Sequence, residues 1–347
     1  MNKEILLGKS LSELQIIVAA LNMPKFVAKQ ISKWIYDKKV MSIDEMTNIS
    51  LGNRTKLSSY YDIGAKPPVN VQRSVDGTIK YLYSTIENKY IETVYIPEKD
   101  RATLCISSQI GCKMHCKFCM TGRQGFSGNL TVAEIINQWY SLPERDKITN
   151  IVLMGMGEPL DNLDNVLKAL EIFTGNDECA WSPHRITLST CGIKNGLKRF
   201  IENSKCSLAI SLHSPVPQQR SQLMPAEKAY PIASIVELLR NYDWSKQRRL
   251  SFEYIVFKDI NDSQVYLREL VRLLRGLDCR INLIRFHSIP DSDLNGVSDD
   301  DMLKVRDYLT HHGLYSTIRS SRGEDIFAAC GMLSTYNEIE KNAGKHI

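Results

Sequence analysis

The stretch Asn150-Ile-Val-Leu-Met-Gly-Met-Gly-Glu-Pro159, followed by Asn162 to Phe173, decides the fold of this 347-residue chain. An apolar run from Asn150 to Met154 reads as a strand, the Gly155-x-Gly157 turn halts it, and helically spaced apolar residues return from Asn162. That is one βα unit. Five more follow the same plan, with strands at Ala102 to Ser107, Arg185 to Ser189, Ser207 to Leu212, Leu250 to Val256 and Arg280 to Arg285. The intervening helices are expected at Val132 to Tyr140, Lys194 to Glu202, Ile232 to Tyr242, Ser263 to Leu274 and Asp299 to His311. Serial βα units imply an α/β fold with a parallel sheet, and six are fewer than the eight of a closed barrel, so a partial (β/α)6 barrel is expected.

Upstream the pattern changes. Ser10-Leu-Ser-Glu13 has the form of a capping box, and Pro24 precedes a second helical stretch through Phe26, Ile31, Trp34 and Ile35. Residues 1 to 62 therefore read as a small helical domain. Asp76-Gly77 between two β-prone runs signals a hairpin, and Tyr90 to Ile96 supplies another strand, giving a β-rich connector over 67 to 97. The remaining residues, 98 to 347, form the expected catalytic domain.

Composition bounds the function. With 43% hydrophobic residues, 44 Lys+Arg and 39 Asp+Glu, the chain is neither disordered nor fibrous. Its longest apolar runs, Ile16 to Leu21 and Ile151 to Met156, fall far short of the roughly 20 residues of a membrane span. No secretory signal is visible at Met1 to Ser10, so a cytoplasmic protein without membrane attachment is expected. Residues 1 to 60 hold nine Lys/Arg against five Asp/Glu and so carry most of the formal +5, which steers a polyanion if it gathers on one face. Nine cysteines in a reducing compartment point to metal, redox or catalytic chemistry rather than a disulfide scaffold.

Their clustering is specific. Cys112-Lys-Met-His-Cys116-Lys-Phe-Cys119 is a Cys-x3-Cys-x2-Cys triplet just past the first strand of the series. Three thiolates can hold three corners of a cubane iron-sulfur cluster and leave one iron open to a ligand. A structural zinc site would need a fourth ligand, which His115 inside the loop cannot easily provide but a distant Cys could. Polar residues also end four other strands: Gly155 to Pro159, Ser189-Thr190, Ser211-Leu-His213-Ser214, and Arg285-Phe-His287. That rim is where βα folds bind ligands, although Gly155 and Gly157 also suit a plain βα turn. Cys105 and Cys330 lie beside cluster-bearing or glycine-containing segments, whereas Cys179, Cys191, Cys206 and Cys279 read as packing residues.

Taken together, Cys105-Ile-Ser-Ser-Gln-Ile-Gly-Cys112, the triplet, Asn129 to Ile135, Met154 to Pro159, Ile210 to His213 and Ala328-Ala-Cys-Gly331 resemble the RlmN/Cfr family of radical-SAM RNA methyltransferases. The resemblance implies that Cys112, Cys116 and Cys119 ligate a [4Fe-4S] cluster whose open iron chelates S-adenosylmethionine (SAM). SAM contacts would fall on Gly157, Glu158, Ser189, Ser211 and His213, with His287 where the family has Asn. Cys330 would accept a methyl group from one SAM. A second SAM, cleaved reductively, would activate that methyl group for addition to an adenine carbon, and Cys105 would resolve the covalent adduct through a transient Cys105–Cys330 disulfide. Glu92 matches the family's proton acceptor, against the plain alternative of a solvated strand carboxylate.

The implied substrate is an adenosine of 23S rRNA, at C2 in the housekeeping branch or C8 in the resistance branch. Gly122-Arg-Gln-Gly-Phe126 and Arg322-Gly-Glu-Asp325 resemble the C2 branch, in which a tRNA adenosine is a further substrate. Arg123, Arg285, Arg319 and Arg322 are candidate phosphate contacts. The family also implies a flavodoxin-type reductant, and a monomer is the default. Phe327 and Met332 depart from the family's Asp and Gln around Cys330. From a different functional class, a non-catalytic RNA-binding protein with a structural zinc at the triplet is the alternative.

Overall fold

Alternating β-branched runs and amphipathic helices assemble into one open sheet in a computed structural model that describes residues 3–175, 179–245 and 248–335. Its ten strands are β1 (Asn70–Arg73), β2 (Ile79–Ser84), β3 (Tyr90–Pro97), β4 (Ala102–Cys105), β5 (Asn150–Leu153), β6 (Ile186–Thr190), β7 (Ser207–Ser211), β8 (Leu250–Val256), β9 (Arg280–Arg285) and β10 (Ser316–Ile318). Spatial order follows chain order from β1 at one edge to β10 at the other. From β4 to β10 every neighbouring pair is parallel. Because β1 and β10 remain edges, the barrel is partial.

Helices between the parallel strands sit where periodicity expects them. Val132–Tyr140, Leu163–Thr174, Lys194–Asn203, Ile232–Leu239, Gln264–Leu274 and Asp299–His311 each bury an apolar face. Central strands turn an apolar face toward the helices at positions such as Leu188, Leu208 and Phe252, all fully buried, while the residues between them face the inside of the curve. Two details differ from the sequence reading. A seventh parallel strand, β10, escaped notice because three residues, Ser-Thr-Ile, are too short for a period to register. The connector is also part of the catalytic sheet, since β3 pairs antiparallel with β4 through Val94 and Cys105.

The N-terminal helices Leu11–Ala20, Phe26–Tyr36 and Leu51–Tyr60 share the same continuous core. Ser10 and Glu13 form the anticipated capping box, and the hydroxyl of Tyr140 donates to the Val40 carbonyl at 2.5 Å. Within the sheet's curve, Thr103, Thr187, Ser207, Ser251, Glu253, Asn282 and Thr317 help line a cavity of about 500 Å³. A polar lining suits a space meant for a ligand better than one filled by core side chains.

Leu208 is fully buried in the middle of the parallel array, so Leu208→Ala should lower unfolding stability by about 3 kcal/mol, read from the urea midpoint. A change under about 0.5 kcal/mol would show that β7 is not a packed central strand.

Candidate active site

Cys105 ends β4, and the chain after it crosses beneath the β5 turn. The Ser107 hydroxyl donates to the Glu92 carbonyl at 2.6 Å and accepts from the Met156 backbone N–H at 2.9 Å. This crossing explains both glycines of the turn. A Cβ on Gly155 would come within 2.7 Å of the Ile106 carbonyl oxygen, and Gly157 combines φ +102° with a Cβ position 2.5 Å from Gln109. Their first role is close backbone packing, which leaves the ligand reading to rest on the polar groups around them.

The triplet follows as a loop bracketed by a short antiparallel pair, Gln109–Gly111 with Phe126–Asn129, and closed by the helix Met120–Gln124. His115 is held in a left-handed conformation at φ +51°, its Nδ1 3.1 Å from the Gly122 carbonyl, so it serves the loop's own shape. Cys112 is buried and Cys116 and Cys119 are partly so. Burial pushes the Cys112 thiol up to about 12 and the other two upward; Cys119 raises Cys112 further, and Cys119 and Cys112 raise Cys116. Such a donor set fits a cationic iron-sulfur cluster, whose charge would relieve both penalties. Among the described residues no three of His, Cys, Asp and Glu converge as one metal ion would require, whereas a cubane gives each thiolate its own iron.

The strand ends face this loop. Glu158 is buried, and its carboxylate accepts from the Leu160 N–H (3.0 Å), the Thr190 hydroxyl (2.6 Å) and the Cys191 N–H (2.8 Å). Burial raises its pKa despite those bonds. His213, left-handed at φ +55°, packs edge-on against Phe118 of the triplet loop at 4.7 Å. Its Nδ1 accepts from the Ile255 N–H at 3.0 Å, and burial, with the Arg220 charge, pushes its pKa down to about 3. The imidazole is therefore neutral with Nε2–H as its donor. Ser189 and Ser211 lie half-buried at the ends of β6 and β7. His287 is buried at the cavity wall, its Nδ1 3.2 Å from Glu324.

Cys330 reaches the same cavity from the far end of the chain. It is exposed, whereas Cys105 is buried, and both line the cavity together with Cys119. Burial pushes Cys105 up to about 12, and Cys330 is near enough to raise it further. The Cys330 segment rests on the triplet helix: the Met120 N–H donates to the Gly331 carbonyl at 2.7 Å and the Thr121 hydroxyl to the Leu333 carbonyl at 2.6 Å. Gly331, at φ +83°, lies so close that a Cβ would meet the Phe118 carbonyl oxygen at 2.9 Å. Met332 packs with Ile289 and Ala329, whereas Phe327 is exposed in a left-handed conformation at φ +52°.

Glu92 corrects one alternative reading: it is 4% exposed, not a solvated strand carboxylate, and pairs with Lys80 at 2.9 Å. The sequence singles out Arg319, Arg285, Arg123 and Arg322 as candidate phosphate contacts and passes over Arg220. Arg220 is fully buried, forms an ion pair with Glu227 and donates to the Ser211 carbonyl at 2.8 Å. Arg319 lines the cavity between the two cysteines; burial works against its charge, yet Glu253 at 3.2 Å and the nearby thiols hold its pKa up. Arg285 is committed to Asp299 and Arg123 to the Lys117 and Pro290 carbonyls. Arg322 lines the cavity, and its buried Nε has no partner among the described residues.

With its pKa near 12, Cys105 is about one part in ten thousand thiolate at pH 8. Iodoacetamide should label exposed Cys330 well before Cys105, and Cys105 labelling should climb about tenfold per pH unit from 8 to 11. Equal labelling at pH 8 by peptide mapping would contradict the buried placement of Cys105.

Residues 106–271 match the family model for the Radical SAM superfamily, and residues 5–63 match that for the ribosomal RNA large subunit methyltransferase N-terminal domain. The chain is 67% identical over 342 residues, covering 99% of both chains, to the probable dual-specificity RNA methyltransferase RlmN of Bacteroides thetaiotaomicron. It is 42% identical over 338 residues to the dual-specificity RNA methyltransferase RlmN of Syntrophus aciditrophicus, covering 96% of this chain and 97% of that one. A crystal structure of a radical SAM methyltransferase from Sphaerobacter thermophilus superposes with a TM-score of 0.90 at 36% identity, covering 95% of this chain and 99% of that one. Identity at this level over nearly the whole chain shows that the protein is a member of the RlmN family of radical-SAM RNA methyltransferases.

Proposed function

We propose that this enzyme methylates C2 of an adenosine in 23S rRNA, and of a tRNA adenosine, through a methyl group carried on Cys330. The observation that carries the reading is the meeting of Cys330, Cys105 and the triplet's Cys119 at one cavity. The names of the relatives support two RNA substrates. An aromatic C–H carbon is not nucleophilic, so ordinary displacement on a methylsulfonium cannot reach it, and a sulfur-borne carbon added to the ring can. The [4Fe-4S] cluster and SAM, when bound, supply the reducing electron, the methyl group and the hydrogen abstraction.

Cys112, Cys116 and Cys119 would hold the cluster. Gly157, Glu158, Ser189, Ser211, His213 and His287 would hold SAM, with Glu158 as an acceptor for its amino group and the neutral His213 as a donor. After one hydrogen atom is taken from the methyl group on Cys330, the remaining methylene bonds to the adenine carbon and the adduct gives up one electron, which the bound cluster would accept. Cys105 removes the proton from that carbon and attacks the Cys330 sulfur; the sulfur–carbon bond breaks as the S–S bond forms, and the released carbon takes up a proton to become the methyl group. Arg319 favours the Cys105 thiolate this requires, lowering a pKa that burial raises. Glu92 passes the proton onward, and Arg322, which lines the cavity, supplies a positive charge to the RNA.

Incubation of reduced, cluster-loaded enzyme with SAM and unmodified 23S rRNA, then digestion to nucleosides, should yield 2-methyladenosine; 8-methyladenosine would move the enzyme to the C8 branch. Cys330→Ala should lose all RNA methylation while keeping about four iron per chain. Persistent methylation in that variant would overturn the route. Stoichiometric zinc in place of iron in anaerobically purified protein would favour the non-catalytic alternative.

A further inference from the structure

Neither matching family model reaches the two segments that meet around Cys330, the antiparallel strands β1 to β3 and the residues beyond 318. Between them runs a row of contacts. The Gly323 N–H donates to Asp76 at 2.9 Å, and the Ser74 hydroxyl donates to Asp325 at 2.6 Å. Further along, Lys80 Nζ donates to the Phe327 carbonyl at 3.4 Å, and the Ser334 N–H donates to Glu92 Oε2 at 2.9 Å. Lys80 Nζ and Glu92 Oε1 are 2.9 Å apart, with side chains 10% and 6% exposed.

Register explains why this pair and Cys105 act together. Lys80 lies opposite Val94 on β3, and Val94 lies opposite Cys105 on β4. Glu92 is two residues before Val94 and so shares its face. Lys80, Glu92 and Cys105 therefore project from one face of one sheet. Phe327 and Ser334 flank Cys330 on either side, so a single buried ion pair grips both shoulders of the Cys330 loop. Burying two charges is costly and is no route to stability by itself, since apolar replacements of buried pairs are often neutral.

We infer that the Lys80–Glu92 pair is a positioning device, holding the Cys330 loop so that its thiol stays in register with Cys105. Lys80 and Glu92 are positioning residues in this role, which is distinct from proton transfer by Glu92 and would persist beside it. The inference rests on the proposed partnership of Cys105 and Cys330, but its test needs neither RNA nor SAM, so its failure is distinguishable from failure of RNA methylation.

The experiment equilibrates anaerobic holoenzyme with glutathione and glutathione disulfide and maps the Cys105–Cys330 bond by mass spectrometry. The two thiols give up two protons and two electrons, which glutathione disulfide takes up as two glutathione molecules. Lys80→Met/Glu92→Leu, which replaces the pair by apolar groups, should lower the effective concentration of the two thiols at least about tenfold, as losing charge-assisted bonds at both shoulders implies. Lys80→Arg should restore most of it. Hydrogen exchange gives a second reading that the wild-type enzyme and Lys80→Met both supply: the Ser334 amide should be protected in the first and exchange faster in the second. An unchanged disulfide equilibrium in the double variant, or an unprotected Ser334 amide in the wild type, would overturn the inference.

Discussion

Two thiols from distant parts of the chain, Cys105 and Cys330, line one cavity, and the proposed chemistry depends on their meeting there. Cys105 is fixed by the hydrogen-bond ladder of β4, between β3 and β5. Cys330 has no such ladder. Its loop is held by the triplet helix on one side and by β2 and β3 on the other, through Met120, Thr121, Lys80 and Glu92. The antiparallel strands are thus a working extension of the barrel, not a spacer between two domains.

Charge is placed at the site with similar economy. Buried ions are destabilising when unpaired, and each one near the cavity has a partner: Arg220 with Glu227, Arg319 with Glu253, Lys80 with Glu92. Glu158 is satisfied by two backbone amides and a hydroxyl. These groups fix the strand ends before any ligand arrives, so that orientation is built in rather than acquired on binding.

Local features were legible from sequence. The six βα units follow from periodicity, and the triplet is legible because its three cysteines fall within eight residues. Cys105 and Cys330 drew attention through their neighbours, and the resemblance to a known family assigned their partnership. Long-range pairings were not legible: nothing in Lys80 or Glu253 alone announces a buried partner, and Glu92 looks like any strand carboxylate until its register against β2 is known. Likewise Gly155 and Gly157 suited a ligand as well as a turn, and only the crossing of Ile106 to Gln109 showed what they accommodate.

The most direct test of the central claim, that Cys330 carries carbon to RNA and Cys105 releases it, is denaturing electrophoresis and mass analysis of a Cys105→Ala enzyme after reaction with SAM, reductant and unmodified rRNA. The account predicts RNA covalently linked through Cys330, because attachment still occurs and resolution does not. Normal release of methylated adenosine by that variant, with no protein-linked RNA, would contradict it.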